Sequence, residues 1–392
     1  MKLLKPLNFA QTPLFHSLLA LSALTLALWL SQGKTGGDTI AFWGGVQLFL
    51  GGSNPYDPVL LLPIQQSAVN SITTPQYFFN PPWSLALLVP LFAPPFETSR
   101  FILSVSNVVG FLYAIAWCQK RWGAIPSRWS ILLPLYTPFI ACQLIGQLSI
   151  APLIGLLLVI DDTKVKQHPA KLALGLYLCS IKPQGLYLVI LAAIFFIFKR
   201  DGIIRLLRVA LYASPLLVLM LYRADLLDSW IQTFSYSSRW RTSSTTTYLR
   251  DLLLAYAPHY ANLFWLYQVT VIVAVFAVGV GTFFKNDNFL LLLLLSVLTA
   301  PYAWLYDFCV LLPVFYFSLL NFVKQPWQRG PRGLLATVTA LTLLFFIVVP
   351  LYGSLSRSFE IYIIYSLLIA AFYLVTVFAS RTKIPQSNST YP

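Results

Sequence analysis

The chain has 392 residues, of which 58% are hydrophobic and only 10% are charged, and its mean hydropathy is +0.74. Soluble globular domains carry about 25% charged residues and disordered chains have low hydrophobicity, so both classes are excluded. The net charge of +14 comes from 26 Lys and Arg against 12 Asp and Glu. In so apolar a chain we interpret this excess as the basic enrichment of cytoplasmic loops, not as a nucleic-acid surface.

The few cysteines and histidines argue against a metal or disulfide framework. The sequence has four cysteines and three histidines, and the cysteines lie in apolar runs without a CxxC spacing. Such cysteines are typical of small buried side chains, and scattered histidines do not form a metal site. We therefore predict neither a bound metal nor a cofactor.

The N-terminal part predicts one membrane helix followed by a long outer loop. The first apolar run, about residues 14–30, follows Lys2 and Lys5, which predicts a retained helix with a cytoplasmic N-terminus. The polar stretch 31–82 contains an amphipathic segment that begins at Asp38, the turn GGSNPYDP and a second short helical segment. Segments of this kind are typical of helices that lie along a membrane surface.

Apolar runs dominate from Pro82 to Ser380, and basic clusters and Pro or Gly turns separate them. The run 82–96 is short, and the alternation of basic loops favours an arrangement in which it does not fully cross the membrane. The sequence therefore predicts an all-α polytopic bundle of about 12 transmembrane helices in one domain, residues 1–392, with both termini cytoplasmic. A bundle of 13 helices follows if residues 82–96 do cross. Residues 223–260 form a second large outer loop.

Two polar segments interrupt apolar hairpins on the outer side. They are IGQLS, residues 145–149, and IKPQG, residues 181–185. The apolar segment from Gly185 to Phe198 is shorter than the roughly 20 residues of a full crossing. Irregular backbone at membrane depth is tolerated where it is buried or lines a watery cavity. These breaks therefore predict an outward-facing cavity cut into the bilayer.

The polar residues of the outer side are the candidates for chemistry. Asp38 lies at the start of a predicted helix, so it is either a helix cap or a general base. Lys182 is a charge close to the membrane interior, which favours a functional role such as phosphate binding over snorkelling to headgroups. Gln147 and Gln184 occupy equivalent turn positions in the two polar breaks.

Four further groups of outer residues have more than one possible role. Asp307 can orient a sugar hydroxyl, pair with Lys182 or cap a helix. Arg239 and Arg241 can hold phosphate, or belong to a solvated loop that touches lipid headgroups. For Asp57 in the turn GGSNPYDP a structural role is favoured. The aromatic residues of QYFFNPPW, residues 76–83, suit either an interfacial belt or the wall of a lipid groove.

The order of these motifs resembles that of glycosyltransferase family 87, the polyprenol-phosphate-mannose-dependent mannosyltransferases of the GT-C superfamily. The resemblance runs from about Asp38 through NPYDP, the NPPW helix start, GQ-x-S and KPQ to PYAWLYD, which ends at Asp307. Walker, dinucleotide-binding and Ser-His-Asp motifs are all missing from the sequence, so ATP-driven transport and nucleotide-sugar binding have no support.

The resemblance implies a GT-C bundle in the bacterial inner membrane and an inverting transfer without a nucleotide. The donor would be a polyprenyl-phosphate hexose, mannose in the first instance, and the acceptor a lipid-linked or cell-envelope glycan on the outer face. Asp38 matches the family's catalytic acid in the first outer loop. Members that build phosphatidylinositol mannosides carry histidines around the position of Tyr306 and Asp307, and this sequence has none there. This difference argues against an inositol-mannoside acceptor.

The sequence therefore predicts Asp38 as the catalytic base and a set of substrate-binding residues. It also predicts that the protein contacts membrane lipids and has no nucleic-acid partner. The substrate-binding candidates are Lys182, Gln184, Gln147, Asn54, Tyr56, Asn80, Arg239, Arg241, Tyr302 and Asp307. The alternative function is a transporter or flippase of lipid-linked saccharides, which has no need for a base at Asp38. A non-catalytic scaffold of an envelope complex would tolerate loss of every outer polar residue. Inverted repeats would favour the transporter, and none is visible in the sequence.

The enrichment of basic residues in the predicted cytoplasmic loops makes a testable prediction about topology. Reporter fusions after Lys171 and after Arg208 should report the cytoplasm, because basic residues cluster around both positions. Fusions within residues 235–247 should report the outer side, as measured by paired reporters that are active in only one compartment. A cytoplasmic signal from residues 235–247 would contradict the orientation.

Overall fold

The computed structural model describes residues 37–130, 132–165, 168–237, 264–284, 288–300, 303–324 and 371. Every regular element in these ranges is helical, as the sequence predicts. The predicted first membrane helix, residues 14–30, lies outside the described residues.

The segment predicted to be the first outer loop contains two short helices, α1 (Thr39–Leu50) and α2 (Pro58–Ala68). The turn GGSNPYDP connects them, and its last two residues, Asp57 and Pro58, form the start of α2. The Asp57 carboxylate accepts a hydrogen bond from the Val59 backbone N–H at 2.8 Å, and Pro58 occupies the first helical position. The structural role predicted for Asp57 is confirmed.

Helix α1 is not the amphipathic surface helix that the sequence predicted, because most of its residues are buried. The reason is a pair of glycines. A Cβ on Gly44 would lie 3.0 Å from Gln65, and one on Gly45 would lie 2.9 Å from Phe78. Side chains of α2 and of the following loop therefore pack against the α1 backbone. Helix α2 lies at the surface of the protein with Val59 exposed, and its location at a membrane surface stays a prediction.

The segment that follows separates a short helix from a long one. A 3-10 turn (Pro82–Ser84) leads into α3 (Leu85–Phe92), and α4 spans Phe96–Trp122. Residues 82–92 rise only about 16 Å, about half of the hydrocarbon thickness, so they are too short to cross alone. Helix α4 has 27 residues and is the helix among the described residues that is long and apolar enough to cross a membrane. The predicted count of 12 or 13 spans stays a prediction.

One face of α4 is apolar and exposed over several turns. Exposed side chains recur every four residues at Phe101, Val105, Val109 and Tyr113. A four-residue spacing places them on one stripe of the helix. An exposed apolar stripe of this length is what a lipid-facing helix presents.

Four helices follow that are separated by the polar breaks seen in the sequence. They are α5 (Thr137–Ile145), α6 (Ile150–Lys164), α7 (Pro169–Ser180) and α8 (Tyr187–Asp201). Helix α5 ends at Gly146, which is left-handed with φ of 72°, and a 3-10 turn (Pro183–Gly185) lies between α7 and α8. Both polar segments therefore interrupt helices, as predicted.

The remaining elements complete the helical body. They are α9 (Ile203–Tyr222), α10 (Asp225–Ser237), α11 (Phe264–Val278), α12 (Phe289–Leu298), a 3-10 helix (Leu305–Leu311) and α13 (Leu312–Lys324), with single-turn helices at Ser127–Ser130 and Val280–Phe283. The 3-10 helix packs along α5, and the hydroxyl of Tyr136 donates to the Phe308 carbonyl at 2.7 Å. This contact brings residue 307 close to the break after α5.

A buried ion cluster closes the far ends of α6 and α8. Asp162 pairs with Arg200 at 3.2 Å and also with Arg205, and Asp201 pairs with both arginines at 2.8 and 3.0 Å. Asp162 is fully buried, so these partners offset a large desolvation cost. Helices α6 and α8 each have 15 residues, about 22 Å, and both begin at a polar break. The two breaks and the ion cluster therefore lie at opposite ends of the same helices.

Close packing of α6 on α7 predicts the effect of one methyl group. A Cβ on Gly155 would lie 2.6 Å from the Gly175 carbonyl oxygen and 2.8 Å from the Cys179 nitrogen, both backbone atoms. Gly155→Ala should therefore lower the thermal midpoint of the purified protein, since overpacking costs about 1–3 kcal/mol.

The matched control is Gly281→Ala, because a Cβ on Gly281 meets nothing within 4 Å. Alanine favours a helix by about 1 kcal/mol over glycine, so this midpoint should stay constant or rise. Equal shifts for the two variants would show that α6 and α7 are not in close backbone contact.

Candidate functional site

Four separate segments meet at one cluster of polar side chains. They are the start of α1, the break after α5, the break after α7 and the 3-10 helix 305–311. At the centre, the Lys182 ammonium donates to Gln147 Oε1 at 2.6 Å, to Ser149 Oγ at 3.2 Å and to Asp307 Oδ1 at 2.8 Å. The cluster thus unites Gln147, Lys182 and Asp307, three residues that the sequence analysis proposed.

Backbone contacts hold Asp38 against the break after α5. The Asp38 N–H donates to the Ile145 carbonyl at 2.7 Å, and the Thr39 hydroxyl donates to the Gly146 carbonyl at 3.3 Å. Gly37 makes this approach possible. Its φ is 57°, and a Cβ there would lie 2.4 Å from the Ile145 oxygen. Only glycine fits such a left-handed, closely packed position.

The Asp38 carboxylate does not cap α1, although the residue occupies the N-cap position. Instead its Oδ2 accepts a short hydrogen bond from Gln147 Nε2. Burial raises the pKa of the Asp38 carboxyl, while the Gln147 hydrogen bond and the Lys182 ammonium act in the opposite direction. A carboxylate whose pKa is raised is a stronger base than an ordinary aspartate, so this geometry suits proton abstraction better than helix capping.

The Lys182 side chain points into the polar cluster, where its ammonium has three acceptors. Its side chain is 13% exposed, it forms an ion pair with Asp307, and its ammonium lies 4.5 Å from the ring centroid of Tyr306. A lysine with these partners is held in place by charge, hydrogen bonds and a cation–π contact. The snorkelling alternative is therefore not what the structure shows.

Asp307 combines two of the roles that the sequence left open. Its Oδ1 accepts from Lys182 and from the Ser149 hydroxyl at 3.1 Å, while its Oδ2 accepts from the Trp304 N–H at 3.1 Å. One oxygen therefore pairs with the lysine and the other caps the 3-10 helix. Because both oxygens are engaged, Asp307 holds Lys182 in a fixed position.

A small cavity opens beside this cluster. Ser149, Lys182, Gln184 and Asp307 form its polar wall, and the other lining residues are Pro152, Gly185, Leu186 and Val310. Gln184 thus joins the cluster through the cavity. The wall of this cavity carries a cationic and an anionic group, and the outward-facing cavity cut into the bilayer stays a prediction.

Asn54, Tyr56 and Asn80 lie in a second group of contacts. Asn54 Nδ2 donates to the Ser229 hydroxyl of α10 at 2.9 Å, and the Tyr56 hydroxyl donates to the Asn80 carbonyl at 2.7 Å. The first of these bonds ties the segment 31–82 to α10, and the second lies within that segment. A role of the three residues in substrate binding stays a prediction. Arg239, Arg241 and Tyr302 lie outside the described residues.

The sequence predicted no site role for Ser149, Tyr306 or Trp230, and it placed Trp83 only in an interfacial belt or the wall of a lipid groove. Ser149 and Tyr306 stand inside motifs that were recognised, so their position beside Gln147 and Asp307 was the available signal. Trp83 Nε1 donates to the Ser180 carbonyl at 3.1 Å, and its ring meets that of Trp230 edge to face at 5.3 Å. This contact links the NPPW segment to the break that carries Lys182.

Comparisons with known proteins give one family. The model of glycosyltransferase family 87 matches residues 78–306, more than half of the chain. The match contains Gln147, Ser149 and Lys182, whereas Asp38 and Asp307 lie outside it. The assignment of Asp38 as the family's first-loop acid therefore remains a prediction.

No curated protein matches the sequence. Among solved structures, the apo crystal structure of ArnT from Cupriavidus metallidurans is similar at 13% sequence identity. The match covers 92% of this chain and 76% of that chain, with a TM-score of 0.37.

The close approach of Gly37 to Ile145 predicts that this glycine is indispensable to the cluster. Gly37→Ala adds both a left-handed strain and a clash with a backbone oxygen, so it should lower the free energy of unfolding by about 2 kcal/mol or more. Gly52→Ala is the matched control, because Gly52 has a φ of 76° but nothing within 4 Å of its Cβ.

The Gly52 variant should lose only the cost of left-handed alanine, about 1 kcal/mol. Thermal unfolding of both variants in the same detergent measures the difference. Identical midpoints would contradict the packing of Asp38 against the break after α5.

Proposed function

The chain belongs to glycosyltransferase family 87, and on this premise we propose that it transfers a hexose from a polyprenyl-phosphate donor to a hydroxyl of a lipid-linked or cell-envelope glycan. The resemblance of its motifs favours mannose as the hexose. The observation that carries the proposal is the hydrogen-bonded chain Asp38–Gln147–Lys182–Asp307, which holds a carboxylate and a cation one amide apart.

The cation suits the leaving group of the donor. Polyprenyl phosphate departs with additional negative charge, and an ammonium held beside it stabilises that charge in the transition state. The three N–H donors of Lys182 are engaged by Gln147, Ser149 and Asp307. A bound phosphate must therefore replace one of these acceptors, and Ser149, at 3.2 Å, is the most distant of the three.

The carboxylate suits the acceptor. Asp38 takes the proton of the acceptor hydroxyl as that oxygen attacks the anomeric carbon. The new glycosidic C–O bond forms while the bond from the anomeric carbon to the phosphate oxygen breaks. The polyprenyl phosphate leaves with the electron pair, and the configuration at the anomeric carbon inverts. Base and phosphate then lie on opposite sides of the sugar, which agrees with Asp38 and Lys182 at the two ends of the Gln147 amide.

A lipid donor agrees with the apolar character of the chain. The mean hydropathy of +0.74 and the membrane-length helix α4 support a membrane protein. Our proposal extends this to a multi-pass protein of the bacterial inner membrane, of GT-C architecture, with both termini in the cytoplasm. In this orientation the polar cluster opens outward, and the ion cluster of Asp162 and Asp201 lies on the cytoplasmic side. The lipid tail of the donor then stays in the bilayer while its phosphate reaches Lys182.

The alternative function is a transporter or flippase of lipid-linked saccharides. Such a protein also needs a cation for the phosphate, so Lys182 does not discriminate between the two functions. Asp38 does discriminate between the two functions. Its carboxylate does not cap α1 and is linked through Gln147 to Lys182, the proposed phosphate-binding cation. Transport gives no reason for a base at this position.

Asp38→Asn tests the proposal. Asparagine keeps the size of aspartate and can still accept the hydrogen bond of Gln147, but it removes the basic oxygen. Transfer of radiolabelled hexose from polyprenyl phosphate to membrane glycolipids by the purified variant should fall by about 10²–10⁴-fold, the usual contribution of a general base. The variant should remain monodisperse in size-exclusion chromatography.

The matched control is Asp57→Asn, in the same outer loop. Asp57 caps α2, and asparagine caps a helix about as well as aspartate. This variant should therefore retain transfer activity and stability. Near-normal transfer by a well-folded Asp38→Asn protein would remove the base from the mechanism and favour the transporter.

A further inference from the structure

We infer that Gln147 is a positioning residue of the transfer reaction, which orients Asp38 and links its carboxylate to the cation at Lys182. The inference rests on the proposed function and reassigns Gln147 from substrate binding to the support of the base. It follows from the hydrogen-bond partners of the amide, from the anchoring of its backbone and from the free oxygen that it leaves on Asp38.

The chemistry of the partners fixes the orientation of the Gln147 amide. Lys182 has only N–H donors, so it must face Oε1, and an ionised Asp38 has only acceptors, so it must face Nε2. The reversed amide would place an NH₂ group against an ammonium and a carbonyl oxygen against a carboxylate. The amide therefore has one orientation for as long as Asp38 is ionised and Lys182 is protonated.

The Gln147 backbone is anchored independently of its side chain. Its carbonyl accepts from Asn107 Nδ2 at 2.9 Å and from Cys142 Sγ at 3.2 Å, and its N–H donates to the Cys142 carbonyl at 2.9 Å. The residue is 4% exposed. A buried amide on an anchored backbone loses little entropy when it holds a partner, so it can fix the carboxylate of Asp38.

The two oxygens of the Asp38 carboxylate have different roles, because one of them is held by Gln147. Among the described residues, the carboxylate accepts one side-chain hydrogen bond, from Gln147 to Oδ2. Oδ1 is left to take the proton of the acceptor hydroxyl. The ammonium polarises the amide through Oε1 and strengthens its N–H donor, because hydrogen bonds in a chain reinforce one another. Lys182 thus acts on the base through Gln147.

The charged groups around Asp38 set the sign of a pH effect. Lys182 and the Gln147 hydrogen bond hold the pKa of Asp38 down, while burial and the carboxylate of Asp307 raise it. Loss of the Gln147 bond leaves the raising contributions in place. The pKa of Asp38 should then rise, and the acid limb of the pH–rate profile should move to higher pH.

Gln147→Met is the test, because methionine has nearly the length of glutamine and makes neither hydrogen bond. The experiment measures kcat and donor KM for hexose transfer from polyprenyl phosphate between about pH 4 and 9. Loss of one hydrogen bond to a charged group predicts a kcat lower by about 10–100-fold and an acid limb higher by about one pH unit or more, with a smaller change in KM.

Gln143→Met is the matched control. Gln143 is an equally buried glutamine on α5 that hydrogen-bonds Ser104, at 3.1 Å to its hydroxyl and 3.2 Å to its carbonyl. A merely structural glutamine should affect thermal stability but leave the acid limb in place. If Gln147→Met is not monodisperse, Gln147→Asn replaces it, since the shorter side chain cannot bridge both partners and should move the acid limb in the same direction.

An upward shift of the acid limb in the Gln147 variant, but not in the Gln143 variant, supports the positioning role. An unmoved acid limb in a protein whose Asp38→Asn variant is inactive would overturn that role and leave the proposed function intact. Full activity of Asp38→Asn would overturn both.

Discussion

The polar side chains of the candidate site are arranged around one buried ammonium group, and they offset the cost of removing its charge from water. Lys182 is 13% exposed, and a lysine at this depth is stable only where several acceptors surround it. Its three acceptors come from two different segments of the chain, the break after α5 and the 3-10 helix 305–311. The lysine itself stands in a third segment. The folded chain therefore brings these three segments together around the charge of Lys182.

The helices that carry these segments also fix them from a distance. Helices α6 and α8 begin next to Ser149 and Lys182, and both end in the cluster of Asp162, Asp201, Arg200 and Arg205. Between the two clusters, α6 packs on α7 through glycines whose backbones nearly touch. A short helix that is anchored at both ends has little freedom to move. The polar cluster around Lys182 is consequently preorganised, which is what a site that stabilises developing charge requires.

The sequence was sufficient for the elements whose signal is local. Helix breaks at 145–149 and 181–185, the cap at Asp57 and the helical class follow from apolar runs and from Pro, Gly and polar residues within a few positions. Membership of the glycosyltransferase family was likewise predictable from the order of short motifs. The burial of α1 was not, because it depends on Gln65 and Phe78, which reach the glycines of α1 from outside the helix.

In the candidate site, likewise, one contact could be predicted from the sequence and another could not. A pairing of Lys182 with Asp307 could be proposed from charge alone, since a buried lysine needs an acid. The contact between Gln147 and Asp38 could not, because it joins residues 109 positions apart and depends on the backbone approach of Gly37 to Ile145. At Asp38 the local sequence allowed a helix cap, but the carboxylate makes its hydrogen bond with Gln147 instead. Where long-range contacts compete with local ones, sequence periodicity carries no information about the outcome.

The central claim is that Lys182 binds the donor phosphate while Asp38 faces the anomeric carbon. An experimental structure of the purified protein in nanodiscs with a non-hydrolysable polyprenyl-phosphonate hexose tests it most directly. The account predicts a phosphonate oxygen within hydrogen-bond distance of Lys182 Nζ, with Asp38 Oδ1 on the opposite side of the anomeric carbon. A phosphonate bound away from Lys182, or a sugar whose anomeric carbon is out of reach of an acceptor hydroxyl held by Asp38, would contradict it.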